Sequence, residues 1–352
     1  MRAALYHGPG DVRISEIAEP ILGDNQVLIT IELCGICGTD LHEFYDGPVF
    51  CPPADVPHPL TGATSPVVLG HEFVGIVARI GPSVRHVSVG ARVVVEPRQT
   101  CGECAACNAG QYNCCPRAAT IGLQGGGGGL AERIAVDASL VFPIGDLSAE
   151  LGTVVEPLAV ALHAVRRTGA PVDGIRAVVF GAGPIGLLVV WTLKALGAAH
   201  VSVVEPSRVR RDRAGSFGAD LAVDPTSQDT NEVLKEAEGP GAVDLAFECA
   251  GKDPALAGCL EAVRPGGTVV NVAIAGKPRE VDLLPLILKE VTMLGTICYA
   301  NDHHDVIRLL QERYFPVDEF ITGHIGLADL VEAGIRRLAE DTEGHVKIVV
   351  AP

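Results

Sequence analysis

Four cysteines within one short stretch constrain this chain more than anything else in it: Cys101-Gly-Glu-Cys104-Ala-Ala-Cys107, then Asn-Ala-Gly-Gln-Tyr-Asn-Cys-Cys115. Thiols at steps of three, three and eight let a single loop wrap a tetrahedral ion without help from distant sequence. Four soft thiolates are the ligand set of a closed, structural zinc site. A redox C-x-x-C motif brings two thiols, not four. By spacing alone, either Cys114 or Cys115 serves as the fourth ligand. A saturated site leaves no coordination position for water or substrate, so the chemistry has to lie elsewhere.

Upstream, Gly35-Ile-Cys37-Gly-Thr39-Asp40-Leu-His42 offers a thiolate, a hydroxyl, a carboxylate and an imidazole, and Gly70-His71-Glu72 follows an extended Pro-rich loop. Val155-Glu156-Pro157 adds another carboxylate. Cys, His and Glu on separate segments are the ligand types of an open zinc site that folding would have to assemble. Singly, Cys37 reads as a small buried hydrophobe, His71 as a core histidine and Glu156 as a helix N-terminal acid beside a first-turn proline. Only their combination points to a metal.

A third signal lies at Ala177-Val-Val-Phe180-Gly181-Ala-Gly183-Pro184-Ile185-Gly186, where an apolar strand runs into G-x-G-x-x-G and then into an apolar helix. That context marks a dinucleotide fingerprint: the glycines permit a tight turn and close backbone approach, and the pyrophosphate rests on the helix N-terminus. The following strand Val201-Ser-Val-Val ends at Glu205. An acid there accepts from both ribose hydroxyls and repels a 2′-phosphate, which favours NAD. Arg208, Arg210 and Arg211 come next, a basic cluster that tolerates a phosphate and leaves NADP open.

At 352 residues the chain has room for two domains with full cores. Residues 1–154 alternate short β-rich pieces with Gly/Pro turns, as a barrel-like domain does. The run Gly125–Gly129 reads there as a flexible turn with no assigned role. From Glu156 helices and strands alternate: a helix over 156–167, a strand over 177–180, a helix over 184–196, a strand over 201–204 and a helix over 207–217. That pattern predicts a parallel, doubly wound sheet across 155–298. The tail, 299–352, is expected to rejoin the first domain, with cofactor and substrate meeting in the cleft between domains. A net charge of -16 argues against nucleic acid or an anionic membrane as the partner. No apolar run is long enough to span a bilayer and the first residues lack a signal-peptide core, so a cytoplasmic location is expected.

With these residues in view, the chain resembles the zinc-dependent medium-chain dehydrogenase/reductase family from residue 1 to 352, and within it the branch acting on 2,3-butanediol and acetoin. The passages that carry the likeness are Cys34-Gly-Ile-Cys-Gly-Thr-Asp-Leu-His-Glu-Phe44, Val93-Val-Val-Glu-Pro97, Ile121-Gly-Leu-Gln and the glycine run, Val155 to Arg167, and Gly295-Thr-Ile-Cys-Tyr-Ala-Asn-Asp302. The resemblance implies a GroES-like β-rich catalytic domain and an NAD-binding Rossmann domain. Two zinc ions per subunit are implied, one held by Cys37, His71 and Glu156, with Glu72 as an outer or alternating partner, and one held by Cys101, Cys104, Cys107 and Cys115. Asp40 would orient His71, and Thr39 and His42 match the family's proton relay. Gly181, Gly183, Pro184, Ile185, Gly186, Glu205 and Arg210 would hold NAD, and Lys347 would reach the cofactor phosphates. The implied substrate is a small diol or polyol and the implied assembly a homodimer or homotetramer. A sorbitol-type polyol dehydrogenase and an L-threonine dehydrogenase share every one of these sites, and a catalytically silent NAD- and zinc-binding protein is the rival of another class.

Overall fold

The strand Gln26–Gly35 organises the first of two units that the computed structural model, describing residues 1–239, 241–274 and 276–352, resolves into. This unit comprises Met1–Glu156, His303–Gln311 and Phe320–Pro352. The run Val27-Leu28-Ile29-Thr30-Ile31 suits a central strand: its aliphatic and β-branched side chains pack well on a pleated surface, and Val27, Leu28 and Ile29 are all buried. It pairs antiparallel with Glu72–Ile80 and with Arg133–Asp137. The sheet continues through Arg92–Val95 to Val141–Pro143 on one side, and through Lys347–Ala351 to Ile321–Gly326 on the other. Register shifts at Leu28/Ile29 and Ile31/Leu33 bend the strand, as bulges do in barrel walls.

The registers decide what meets at the end of this strand. Gly35 stands opposite Glu72 on one neighbour and opposite Val349 on the other. Cys37 then caps the helix Gly38–Asp46, its backbone N–H donating to Asp40 Oδ2 at 2.9 Å. Thiolate, carboxylate and the start of the Lys347–Ala351 strand are thus delivered to one place by segments far apart in the chain.

The second unit comprises Pro157–Asp302 and Glu312–Glu319. Its six strands are all parallel, in the spatial order Leu221–Val223, His200–Val204, Arg176–Phe180, Leu245–Glu248, Thr268–Asn271 and Thr292–Gly295. The order reverses between Arg176–Phe180 and Leu245–Glu248, the switch point at which doubly wound sheets bind ligands beyond the strands' carboxyl ends. Residues 312–319, expected with the first domain, belong to this unit. Phe315 packs edge-on against Trp191 and Phe217, and Trp191 Nε1 donates to the Tyr314 carbonyl at 2.9 Å.

One element starts earlier than expected. The helix anticipated from Glu156 runs over Ala149–Arg166, so Pro157 lies inside it and not in its first turn. The true start signal is Ser148, whose hydroxyl accepts from the Leu151 amide at 3.2 Å. Among the described residues, no helix is long and apolar enough to cross a membrane.

Candidate active site and metal centres

In the first unit, Cys37, His71 and Glu72 bring one ligand atom each to within 4.8 Å of one another. His71 and Glu72 are buried, as is Asp40 beneath them. Asp40 Oδ1 lies 4.0 Å from His71 Nδ1, too far for a hydrogen bond, and neither atom has a hydrogen-bond partner among the described residues. Burial opposes a charge on His71, yet the Cys37 and Asp40 charges, the Cys37 hydrogen bond and the Glu156 charge outweigh it and hold its pKa well above the usual imidazole range. Burial likewise raises the Asp40 carboxyl. The pocket therefore holds excess negative potential and orphaned buried atoms. A thiolate, an imidazole and carboxylates in such a field fit a divalent zinc ion.

Glu156 is not part of the compact trio; its half-buried carboxylate acts on His71 and on Lys347 through charge. Lys347, expected to reach the cofactor phosphates, is buried within this site, its Nζ donating to Glu72 Oε1 at 2.8 Å, Glu72 Oε2 at 2.6 Å and the Ile36 carbonyl at 3.0 Å. Gly35 makes room for the pair, since a Cβ there would stand 2.3 Å from Glu72 Oε2. Burial works against the Lys347 charge, but Glu72 and Cys37 more than offset it, so the ammonium is retained. No sequence signal pointed from residue 72 to residue 347; only the sheet register does.

Thr39 Oγ1 lies 3.6 Å from Cys37 Sγ on the same helical turn, half-buried. His42, one turn on, is largely exposed and stands 3.6 Å from Asp46. A hydroxyl beside the Cys37 sulfur and an exposed imidazole about one turn on thus share one helix.

Cys101, Cys104, Cys107 and Cys115 form a second group, again within 4.8 Å. Sulfur separations are 3.5 Å for Cys104–Cys107 and Cys101–Cys115, and 3.9 Å for Cys101–Cys107. Cys114 is exposed and outside the group, so the structure favours Cys115 where spacing left a choice. The Glu103 amide helps bring Cys101 down to about 6, while burial and neighbouring thiols push Cys107 up to about 11. Ion-free, such a set ionises in steps, each thiolate discouraging the next. A zinc ion removes that penalty.

In the second unit, Gly181 takes a φ of +99°, and a Cβ on Gly186 would fall 1.9 Å from the Gly181 carbonyl oxygen. Gly183 has open space and caps the helix Pro184–Ala195, with Pro184 in its first turn followed by Ile185. Glu205 is buried, accepting from the Ala182 amide at 2.8 Å and the Ser207 amide at 3.0 Å. It therefore ties the glycine turn to the end of the following strand. Arg211 is committed to the Glu205 and Pro206 carbonyls and to Asp224, and Arg208 is exposed beside Asp212. Arg210 is half-buried, its amide donating to Ser207 Oγ at 3.4 Å.

Residues 23–146 match the family described as "Alcohol dehydrogenase GroES-like domain", and residues 184–312 match "Zinc-binding dehydrogenase". The chain is 43% identical to the (R,R)-butanediol dehydrogenase of Bacillus subtilis, covering 100% of both chains. It is 41% identical to the protein of that name from Neisseria gonorrhoeae, covering 100% of this chain and 99% of the relative. A crystal structure of the Bacillus subtilis 2R,3R-butanediol dehydrogenase superposes with a TM-score of 0.93 over 100% of this chain and 99% of that one.

Proposed function

This chain belongs to the zinc-binding dehydrogenase family, with its GroES-like and Rossmann-type units, and from that premise we propose that it interconverts 2,3-butanediol and acetoin with NAD as hydride carrier. The observation that carries the reading is the buried meeting of Cys37, His71 and Glu72 beside the Thr39 hydroxyl, in a chain alike end to end with butanediol dehydrogenases. In this reading two zinc ions are held per chain. Cys101, Cys104, Cys107 and Cys115 hold the structural one. Cys37 and His71 hold the catalytic one with Glu156, Glu72 being kept as an outer or alternating partner by its pair with Lys347.

When bound, zinc supplies a Lewis acid that makes an alcohol proton easier to lose, and NAD supplies a two-electron acceptor for the carbon-bound hydrogen. The chain's own groups do the rest. Thr39 Oγ1 takes the alcohol's hydroxyl proton as it passes its own onward, and exposed His42, with Asp46 at its ring, takes up the relayed proton and gives one to solvent. Asp40 supplies a negative charge behind His71. Lys347 neutralises Glu72, so that only part of the site's negative charge is left for a metal to balance. Gly181, Gly183, Pro184, Ile185 and Gly186 form the cofactor cradle, Glu205 selects NAD, and Arg210 flanks the adenosine end.

The enzyme is proposed to be cytoplasmic, with a small diol as its partner and neither nucleic acid nor membrane. A homodimer or homotetramer is supported by an apolar strip on the second unit. The edge strand Thr292–Gly295 carries no charged residue and exposes Met293, and Leu284, Ile287 and Leu288 in the short helix that precedes it in sequence are exposed too. Edge strands left bare of charge in this way invite pairing.

The test is NADH formation from (R,R)-2,3-butanediol, meso-butanediol, sorbitol and L-threonine by a zinc-replete sample. The highest kcat/KM is expected for a butanediol isomer. Preference for sorbitol or threonine would overturn the substrate and keep the chemistry; no NAD-linked turnover would overturn both.

A further inference from the structure

The run Gly125–Gly129 is not the loose turn its composition implies. Its C-terminal end, Gly128 and Gly129, is pressed onto the segment that carries His71 and Glu72. Gly70, with a φ of +95°, precedes His71, and a Cβ on it would stand 2.7 Å from both Cys34 Sγ and the Leu130 amide nitrogen. Its carbonyl accepts from the Gly129 amide at 2.8 Å, and the Leu69 carbonyl accepts from Leu130 at 3.0 Å. A Cβ on Gly122 would fall 2.0 Å from the Gly70 carbonyl oxygen, and one on Gly128 would fall 2.3 Å from that of Leu69. A Cβ on Gly129 would stand 2.5 Å from Phe73 Cβ. The residues touched, 69, 70 and 73, bracket His71 and Glu72 on both sides. Preceding residues are gripped as well: the Gln124 carbonyl accepts from Thr61 Oγ1 at 2.6 Å.

We infer that Gly122, Gly128 and Gly129 are positioning residues for the catalytic metal, a backbone clamp that sets where His71 and Glu72 project. A Cβ against a carbonyl oxygen cannot be relieved by a rotamer change. The backbone of Leu69 and Gly70 would have to move, and His71 would move with it. Ligand sets tolerate little displacement, and disturbing the groups behind them weakens metal binding. Gly126 serves as the contrast within the same run. Its φ is +80°, but a Cβ there would meet only Gln99 and Ile121 side-chain atoms, at 3.3 Å and beyond. Gly128 has no left-handed φ, so an alanine there isolates the contact from backbone strain.

The inference rests on the proposed reading of Cys37 and His71 as holders of the catalytic zinc, and the test separates the two. Zinc release from holoenzyme to a chromophoric chelator is followed for the parent, G128A, G122A, G126A and H71A, with the four-cysteine zinc as internal reference. We expect G128A and G122A to release one zinc about 10-fold or more faster while the other leaves at the parental rate. G126A should follow the parent, and H71A should lack one zinc from the outset. Should G122A fail to fold, G129A replaces it with the same expectation, since its Cβ would meet the root of the buried Phe73 side chain, next to Glu72, at 2.5 Å. Parental release from G128A and G122A, with one zinc missing in H71A, would overturn the clamp and leave the metal reading intact. Equal acceleration of both zinc ions would also overturn it, reducing the run to general packing. Two tightly held zinc ions in H71A would overturn the metal reading itself.

Discussion

The two groups of candidate metal ligands in this protein are built on opposite plans. The four-cysteine group is drawn from residues 101–115, one loop and two short helical turns. The Cys37 site needs a strand end, a helix cap, a glycine-clamped turn and a strand that begins at residue 347. A closed site only has to hold its ion, so adjacent thiols suffice. An open site must leave room for substrate while its buried charges are balanced, and that takes partners from several elements.

If the plans differ in this way, damage to the assembled site should reach chemistry or the whole first unit, and damage to the local site should stay local. The largest effect is expected from Thr39→Val, which keeps the shape and removes the hydroxyl. Turnover should fall by about 10²–10⁴-fold, the span of general acid–base catalysis, with NADH affinity by fluorescence titration unchanged. Undiminished turnover would remove Thr39 from the proton path.

Next comes Lys347→Met. It leaves the Glu72 carboxylate buried and unpaired, so urea unfolding should show a loss of about 3–5 kcal/mol, most of it recovered by adding Glu72→Gln. A loss no larger than that of a surface ion pair would mean that the pair is not what holds the last strand to the site.

The smallest effect on the barrel should come from the cysteine loop. Cys115→Ser should reduce zinc content from two to one and expose residues 101–115 to proteolysis, whereas Cys114→Ser should keep both ions. If Cys115→Ser also stripped the zinc at Cys37, the two regions would not be independent and the contrast drawn here would fail.

The same contrast explains what was legible in the sequence. Cys101 to Cys115 and Gly181 to Gly186 were readable because each site is continuous and each spacing has its own mechanism. Thr39 and His42 are named through the family resemblance, and the structure sets them about one turn apart on one helix. Lys347 could not be placed, because nothing local says that an ammonium will lie against a carboxylate 275 residues away. The glycine run was passed over for a related reason: a glycine kept for close packing looks like one kept for a turn until its neighbour is known. Pro157 misled by obeying a good rule in the wrong place, since proline favours first turns but here lies inside a helix that Ser148 begins.

The tail strand has a consequence for biosynthesis. Residues 157–302 leave the ribosome as one stretch, and most of the second unit can begin to fold during synthesis. The first unit begins earlier and finishes later, because its central sheet lacks Lys347–Ala351 until that strand has emerged. Until then, Glu72 awaits its counter-charge and the edge of Gln26–Gly35 near Cys34 is bare. The unit translated first is therefore the one most in need of shelter on the way to the native state, and chaperone dependence should track this edge.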